Sequence, residues 1–246
     1  TQFAGPTCDS AGTCTLNITV TKTAPATTSV TLIVQDTKAA QTSSTFSVTV
    51  APEEKIVTSG TELKALLETA AAGASIKIIN TTPILLSTQM TLDKELTLWG
   101  LGQDKTILDA QTLDRHFWIK PTANITLHDL TLTNGNAQDA GSTIEGDKVG
   151  GAIFNEGTLT LEKTRIINSK ALDGLGTSKG KGGAIYTFTT GTTKLSDSII
   201  GQENNPNVAT NSGGGLFNDG GKLEVISSQV SFNEGQLRGG GIFNYR

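Results

Sequence analysis

The second half of the chain repeats one short phrase, in which two glycines precede a small residue, an aliphatic residue and an aromatic residue. The intervals between successive copies are 32, 31 and 26 residues. Repetition at such a period predicts a solenoid, because each unit can bury its apolar face only against its neighbours. The four copies are Gly150-Gly151-Ala152-Ile153-Phe154, Gly182-Gly183-Ala184-Ile185-Tyr186, Gly213-Gly214-Gly215-Leu216-Phe217 and Gly239-Gly240-Gly241-Ile242-Phe243.

The composition narrows the classes of protein that fit this chain. It has 246 residues, enough for one or two domains, and 28 of them are glycine. The net charge of −4 provides no electrostatic reason to bind nucleic acid or an anionic membrane surface. No apolar run approaches the roughly 20 residues that cross a bilayer. We therefore expect no nucleic-acid partner and no membrane insertion in this segment.

Two cysteines, Cys8 and Cys14, lie six residues apart in a polar stretch. We expect them to form a small disulfide, which would place the chain in an oxidising compartment, either extracellular or at the cell surface. Two unrelated thiols are the alternative. A zinc site would need two further ligands nearby, and the sequence offers no Cys or His there.

Residues 13 to 50 have the alternating pattern of three strands. The second strand carries Val30, Leu32 and Val34 on one face, and the third carries Phe46, Val48 and Val50. The stretch from Thr31 to Val50 resembles the closing strands of the immunoglobulin-like repeats of bacterial surface proteins. Such a sandwich takes about 100 residues. The resemblance therefore implies only a partial module over residues 1–52, with its missing strands upstream or in another molecule.

The second predicted domain, residues 53–246, opens with a helix at about residues 59–73. Ser59 and Glu62 have the spacing of a capping box, and Gly73 marks the C-terminal stop. We expect the helix to plug the first open end of the solenoid, because an uncovered end exposes unpaired backbone groups. Its apolar residues recur at helical spacing: Leu63, Leu66, Leu67 and Ala70.

Short strand-like pieces separated by turn residues follow the helix, and they predict an all-β fold, a right-handed parallel β-helix. The segment Leu96–Asn134 resembles the repeats of pectate-lyase-like β-helices. From Gly150 onward the chain is similar to the Gly-Gly-Ala-Ile repeats of polymorphic outer membrane proteins. The predicted strands are Ile76–Ile79, Ile84–Leu86, Leu96–Trp99, Thr106–Leu108, Phe117–Ile119, Ile125–Leu127 and Leu130–Leu132.

Equivalent side chains of successive coils should stack into columns, because each strand pairs with its counterpart about 4.8 Å away. We expect an interior aliphatic column of Ile153, Ile185, Leu216 and Ile242. Strand alternation places the aromatic residue that follows each of them on the opposite face. An asparagine column should contain Asn155, Asn218 and Asn244, interrupted by Thr187. The stretches Asn136–Val149, Ala171–Lys181 and Gln202–Ser212 should be surface loops.

The aromatic residues, Phe154, Tyr186, Phe217 and Phe243, leave two interpretations open. They could stack against sugar rings or against a neighbouring chain. Alternatively, they could only rigidify the solenoid. The partners that follow from the first interpretation are surface glycans or a second copy of the chain. Both ends of this chain look unfinished, and two explanations are open: the chain is a piece of a longer surface protein, which we favour, or its ends are completed by neighbouring copies assembled head to tail.

The acids near consecutive turns supply weak candidates for catalysis. Polysaccharide hydrolases use two close carboxylates, and lyases use acid-bound calcium beside a base. Asp109, Asp114 and Arg115 are the nearest candidates, with Asp129 beside His128. The motifs that carry chemistry in pectin-active families are absent. We therefore expect no catalytic residue, no cofactor and no metal site, except for calcium that loop acids could hold: Asp139, Glu145, Asp147 and Asp173.

Three sequons, at Asn17, Asn80 and Asn124, are candidate glycosylation sites. Together these features favour a non-catalytic extracellular protein that serves as a stalk, an adhesin passenger or a filament subunit. A polysaccharide-active lyase or hydrolase is the first alternative. A carbohydrate-binding module is the second.

Overall fold

A computed structural model describes residues 55–137, 148–173 and 179–245, together with the backbone of seven strands between residues 2 and 55. The chain divides into two compact units, Thr1–Pro52 and Glu53–Arg246. The first unit contains three antiparallel strand pairs. They are β1 (Gln2–Phe3) with β4 (Ile18–Thr19), β2 (Thr7–Cys8) with β3 (Cys14–Thr15), and β5 (Thr27–Gln35) with β6 (Gln41–Thr49).

The hairpin β5–β6 contains the second and third strands that alternation predicted in this unit, except for Val50, which lies outside the described residues. Thr27 pairs with Thr49 and Gln35 pairs with Gln41, so the two strands match over their full lengths. The immunoglobulin-like character of residues 1–52 stays a prediction.

The second unit is a parallel β-solenoid, as the repeat predicted. Its chain passes in turn through three sheets that run along the stack. Sheet A contains β7 (Glu53–Lys55), β8 (Ala74–Ile78), β11 (Leu96–Trp99), β14 (Asn124–His128), β17 (Thr158–Glu162), β21 (Thr192–Ser196) and β25 (Lys222–Ile226). Sheet B contains β9 (Ile84–Leu85), β12 (Ile107–Asp109), β15 (Thr131–Thr133), β18 (Arg165–Ile167), β22 (Ile199–Ile200) and β26 (Gln229–Val230). Sheet C contains β10 (Met90–Leu92), β13 (Phe117–Ile119), β16 (Ile153–Asn155), β20 (Ile185–Thr187), β24 (Leu216–Asp219) and β28 (Ile242–Tyr245).

The interior aliphatic column is confirmed by the strand register of sheet C. Ile153 pairs with Ile185, Ile185 with Leu216, and Leu216 with Ile242. The column also extends in the other direction through Phe117 and Met90. All its members except Ile242 lie in one continuous hydrophobic core, whereas Ile242, in the last described strand, is 41% exposed.

The strand predictions hold for most of the solenoid, with two corrections. Strand β10 was missed, because its three residues carry no turn signal to set them apart. The stretch Gln202–Ser212 was predicted to be a surface loop, yet it contains strand β23 and two fully buried residues, Asn207 and Ala209. This strand belongs to a small fourth sheet, D, which consists of β19 (Lys170–Ala171), β23 (Val208–Ala209) and β27 (Glu234–Gly235). The same correction applies to the described ends of the other two predicted loops, because Ala137, Val149 and Ala171 are buried and Ala171 belongs to β19. Residues 138–147 and 174–178 of those loops lie outside the described residues.

Helix α1 (Gly60–Thr69) is the predicted N-terminal helix, and Leu63 and Leu67 bury its apolar face in the solenoid core. The helix ends earlier than predicted, because Ala70 is the C-cap, so Gly73 lies beyond the helix and is not its C-terminal stop. Ser59 is the N-cap, and its hydroxyl accepts a hydrogen bond from Glu62 N. The Glu62 carboxylate accepts from Thr58 N at 2.7 Å, and this bond lowers the pKa of Glu62. The cap therefore follows the predicted capping box, with a return bond to Thr58.

A column of hydroxyl side chains joins the coils at the turns between sheets A and B. Thr164 Oγ1 donates to Leu127 O, and Ser198 Oγ donates to Leu161 O. In the other direction, Thr164 N donates to Ser198 Oγ and Ser198 N donates to Ser228 Oγ. These hydroxyls form hydrogen bonds with backbone groups of neighbouring coils. They thus take the place of the water molecules that cannot reach a buried turn.

Candidate functional site

The outer face of sheet C carries one uninterrupted aromatic column of five rings. Strand pairing aligns Trp118 with Phe154, Phe154 with Tyr186, Tyr186 with Phe217, and Phe217 with Phe243. Successive ring centroids are 5.9, 5.7, 5.2 and 5.3 Å apart. These separations fall in the range in which aromatic pairs attract one another. The predicted opposition between the aliphatic and aromatic residues is confirmed, because they form two separate clusters.

The column is covered over most of its length. Phe154, Tyr186 and Phe217 are 0%, 1% and 4% exposed. The Tyr186 hydroxyl, the polar atom within this stretch, donates to Asp219 Oδ2 at 2.6 Å. Contact of these three rings with a ligand stays a prediction that would require the covering residues to move. Phe243, which is half-buried, is the member that a ligand can reach without such a movement.

Trp118 is the member of the column that the repeat phrase did not reveal. Its segment, Arg115-His116-Phe117-Trp118-Ile119, aligns with Gly151-Ala152-Ile153-Phe154-Asn155 and lacks both the glycine and the asparagine. The only available signal was an aromatic residue directly after a buried apolar one. The indole Nε1 donates to Glu156 Oε2 at 2.7 Å, and Lys120 Nζ lies 3.2 Å from the ring centroid.

An open cleft, here called the cationic cleft, lies beside the last two rings of the column. Its volume is about 300 Å³, which is at the lower end of the range for small-molecule sites. Lys181 and Arg238 supply positive charge, and Asp219 is the carboxylate of its lining. Among the described residues, its lining consists of Lys181, Asn211, Ser212, Phe217, Asp219, Arg238, Phe243 and Tyr245.

The asparagine column has the predicted alignment, Asn155, Thr187, Asn218 and Asn244. Asn218 Nδ2 donates to Asn244 Oδ1 at 2.7 Å, which is a direct amide bond between coils. Asn155 Nδ2 instead donates to Thr193 Oγ1, and Thr193 Oγ1 also lies 2.7 Å from Thr187 Oγ1. Thr193 therefore links Asn155 to Thr187 across one coil step, whereas Asn218 Oδ1 has no hydrogen-bond partner among the described residues.

Three of the residues considered for catalysis, Asp109, Asp114 and Arg115, stabilise the connections between sheets B and C. Asp109 Oδ1 accepts from Gln111 N at 2.7 Å and from Asn134 Nδ2 at 2.8 Å. Asp114 accepts from Gln89 N and from Arg115 N. Arg115 is fully buried, and its guanidinium donates to Gln89 Oε1 and lies 5.8 Å from the Phe154 ring centroid. A buried cation of this kind cannot reach a substrate in solvent.

The two histidines have different surroundings. His128 is held between two carboxylates, with Nδ1 2.6 Å from Asp129 Oδ2 and Nε2 3.2 Å from Glu162 Oε2. Trp99 packs on its ring with 4.0 Å between the ring centroids. Strand pairing places Trp99, His128 and Glu162 on three successive coils. The cluster thus ties three coils together on the outer face of sheet A.

His116 occupies the position that alanine fills in the next two coils. It is fully buried, and its Nε2–H donates to Leu108 O at 3.0 Å. Among the described residues, its Nδ1 atom has no hydrogen-bond partner. Burial lowers the pKa of His116 from 6.5 to about 4, against the opposing effects of the bond to Leu108 and the charge of Asp109. The folded state therefore holds His116 in its neutral form.

Acid should destabilise the fold through His116. Below pH 6.5 the unfolded chain binds a proton at this residue, whereas the folded chain does so only near pH 4. The free energy of unfolding should therefore fall by about 3 kcal/mol through this group between these two pH values. Urea unfolding at a series of pH values measures the loss.

The variant His116→Ala carries the residue of the aligned positions Ala152 and Ala184, so it isolates this contribution. We expect its stability to vary less with pH than that of the unchanged chain. Parallel pH profiles for the two proteins would contradict the assignment.

The remaining candidate residues are distributed along the chain. Asn124 is exposed, whereas Asn80 is 8% exposed and its amide accepts from Val57 N at 2.8 Å. A glycan on Asn80 would therefore disrupt a buried contact, and Asn17 lies outside the described residues. Cys8 and Cys14 are register partners in the β2–β3 pair, and their disulfide stays a prediction.

Three of the loop acids considered for calcium, Asp139, Glu145 and Asp147, lie outside the described residues. The backbone N–H of the fourth, Asp173, donates to Thr210 Oγ1. Across the described part of the chain, no group of three or more His, Cys, Asp or Glu side chains converges on a point where a metal ion could bind. In the same residues, no helix has both the length and the apolarity to span a bilayer.

The fold and the cleft together define a parallel β-solenoid with a mostly covered aromatic column and a small cationic cleft near the last described strands. No protein-family model matches the chain, and neither a curated protein nor a solved structure matches it.

Proposed function

We propose that this chain is a non-catalytic extracellular or cell-surface protein whose solenoid has a structural or adhesive role, as a stalk, an adhesin passenger or a filament subunit. The observation that carries the proposal is that the polar side chains considered for catalysis form structural hydrogen bonds. Asp109, Asp114 and Arg115, the candidates for chemistry, all hold turn backbone or buried side chains in place. Side chains that are engaged in such hydrogen bonds stabilise the stacked coils and are not available for catalysis.

The columns fit the same role. Hydrophobic, aromatic, amide and hydroxyl columns all run along the stacking direction, so each coil is held on several faces by its neighbours. Stability in such a stack depends on contacts between adjacent units, and length can increase by adding units. A stalk or an adhesin passenger needs both an extended length and stable contacts between adjacent units.

The extracellular location rests on the two cysteines. Cys8 and Cys14 are paired opposite each other in an antiparallel ladder. Directly opposed residues are close enough at their Cα atoms for a disulfide. A disulfide at this position would favour an oxidising compartment. The proposal also includes the sequence resemblance of the solenoid to pectate-lyase-like and polymorphic outer membrane protein repeats, and that of residues 1–52 to bacterial immunoglobulin-like repeats.

A turnover screen separates this proposal from a polysaccharide lyase or hydrolase. The chain would be incubated with acidic and neutral polysaccharides, with and without calcium, and assayed for reducing ends and for unsaturated products. We expect neither. Turnover that is lost in Asp109→Asn or Asp114→Asn but retained in Asp104→Asn would overturn the proposal. Asp104 is a suitable control because its side chain is 87% exposed and pairs only at the surface with Arg165.

A further inference from the structure

Two side chains of the aromatic column are chemically unlike the others. Trp118 and Tyr186 lose one electron far more readily than a phenylalanine does, because an indole nitrogen or a phenol oxygen donates electron density into the ring. The chain has two tryptophans and two tyrosines, and one of each lies in this buried column. Phe154 lies between them, with its ring centroid 5.9 Å from that of Trp118 and 5.7 Å from that of Tyr186. The column therefore joins two oxidisable rings through one aromatic ring.

Trp118 is the member of this trio that a small oxidant can reach. It is 8% exposed, whereas Phe154 and Tyr186 are fully buried. Lys120 Nζ lies 3.2 Å from the centroid of the indole ring. A cation at this position is attracted to the electrons of an intact ring, so it repels a ring that has lost one. An electron vacancy formed on Trp118 is thus driven toward a ring that lies further from Lys120.

Tyr186 has a proton acceptor that lets it keep such a vacancy. Its hydroxyl donates to Asp219 Oδ2 at 2.6 Å, a short bond to a carboxylate. A phenol that loses an electron becomes a strong acid, and its proton can cross this bond as the electron leaves. The product is a neutral phenoxyl radical beside a carboxylic acid. Because a phenol that can release its proton is easier to oxidise than an indole, the transfer runs from Trp118 to Tyr186.

We propose that the aromatic column transfers an electron vacancy from Trp118 to Tyr186 after attack by a small one-electron oxidant radical. The oxidant takes one electron from Trp118 and is reduced to its anion. Trp118 then recovers an electron from Tyr186 through the Phe154 ring, and Tyr186 releases its hydroxyl proton to Asp219 Oδ2.

The step leaves Trp118 unchanged. Its indole Nε1 donates to Glu156 Oε2 at 2.7 Å, and a proton that shifts along this bond when the electron leaves returns when the electron is restored. The single oxidised group at the end is the Tyr186 phenoxyl radical, which is buried away from solvent and from other chains. Radical transfer of this kind goes beyond the proposed structural or adhesive role and does not depend on it.

Pulse radiolysis measures this transfer directly. Azide radicals, produced in an azide solution saturated with nitrous oxide, would oxidise the chain at neutral pH, and the tryptophanyl and tyrosyl radicals would be followed by their separate absorption bands. We expect the tryptophanyl band to decay and the tyrosyl band to grow with the same first-order rate constant. A rate constant that rises in proportion to protein concentration would show transfer between molecules and would overturn the proposal.

Conservative variants identify the two ends of the path. Trp118→Phe and Tyr186→Phe keep a ring at each position, and each should lower the amplitude of tyrosyl growth at least tenfold. Trp99→Phe and Tyr245→Phe are the matched controls, because they remove the other indole and the other phenol of the chain. Both controls should retain the rate constant of growth. Growth that persists in Tyr186→Phe, or that disappears in Tyr245→Phe, would overturn the proposal.

Two further variants test the bridge and the proton acceptor. Phe154→Leu removes the ring between the two ends, and Asp219→Asn keeps an oxygen for the hydroxyl bond but cannot take up the proton. Each should slow tyrosyl growth at least tenfold, and circular dichroism would verify that the variants are folded. An unchanged rate constant in either folded variant would overturn the proposal. None of these results bears on polysaccharide turnover, so radical transfer and the proposed function are tested separately.

Discussion

Replacing Phe154 with Ala is expected to lower the free energy of unfolding by about 3–5 kcal/mol, the range for aromatic residues in well-packed cores. Phe154 is fully buried in the middle of the aromatic column. Its ring contacts Trp118, Tyr186 and Phe188, with centroid separations between 5.7 and 6.4 Å. The guanidinium of Arg115 also lies over this ring. The variant would leave a cavity and remove an aromatic neighbour of a buried cation.

The matched control is Phe243→Ala, which removes the same side chain from the partly exposed end of the same column. Phe243 has Phe217 on one side and lies next to the open cleft, so its loss should cost clearly less. Urea unfolding followed by circular dichroism and tryptophan fluorescence gives both values. Equal costs for the two variants would show that the column does not act as a buried stabilising element.

Replacing Gly183 with Ala is expected to destabilise the solenoid by more than about 3 kcal/mol, or to prevent its later coils from stacking. A Cβ atom at Gly183 would lie 2.2 Å from Gly214 O and 2.6 Å from Val208 N. Both are backbone atoms, so no side chain can rotate away to make room. Adjacent coils would have to separate, which breaks hydrogen bonds such as Gly183 N to Gly213 O.

Gly241→Ala serves as the control within the same repeat phrase. A Cβ atom at Gly241 would meet only the Val230 side chain and backbone, at 3.6 Å, which is ordinary contact. Neither Gly183 nor Gly241 has a left-handed backbone conformation, so the two substitutions differ in packing space and not in backbone strain. Urea unfolding and limited proteolysis would compare the variants. Similar stabilities would contradict the requirement for close approach between coils.

The two predictions have one physical basis. Close coil spacing requires glycine where backbones meet, and that spacing brings the outer aromatic rings into contact. The phrase in which glycines precede an aliphatic and an aromatic residue therefore encodes both the close approach of the coils and the two columns beside it. This explains why one short repeat predicts interior packing, exterior packing and strand register together.

The sequence alone determined the solenoid, its N-terminal helix and the alignment of most columns. The reason is that local patterns carry these features: helical spacing in Leu63 and Leu67, alternation in each strand, and a repeated phrase that marks equivalent positions. Once Ile153 and Ile185 are recognised as equivalent, parallel pairing places Phe154 beside Tyr186 without further information.

Only the tertiary structure decided the features that no local sequence pattern predicts. Strand register places Trp118 in the column. The repeat phrase could not reveal this, because the segment carries Arg115 and His116 where later coils carry glycine and alanine. Strand β23 formed because Val208 lies between neighbouring strands of sheet D, although its own sequence is typical of a loop. The burial of the rings and the opening of the cationic cleft depend on which side chains from distant coils lie over the column, and that arrangement exists only when the coils are stacked.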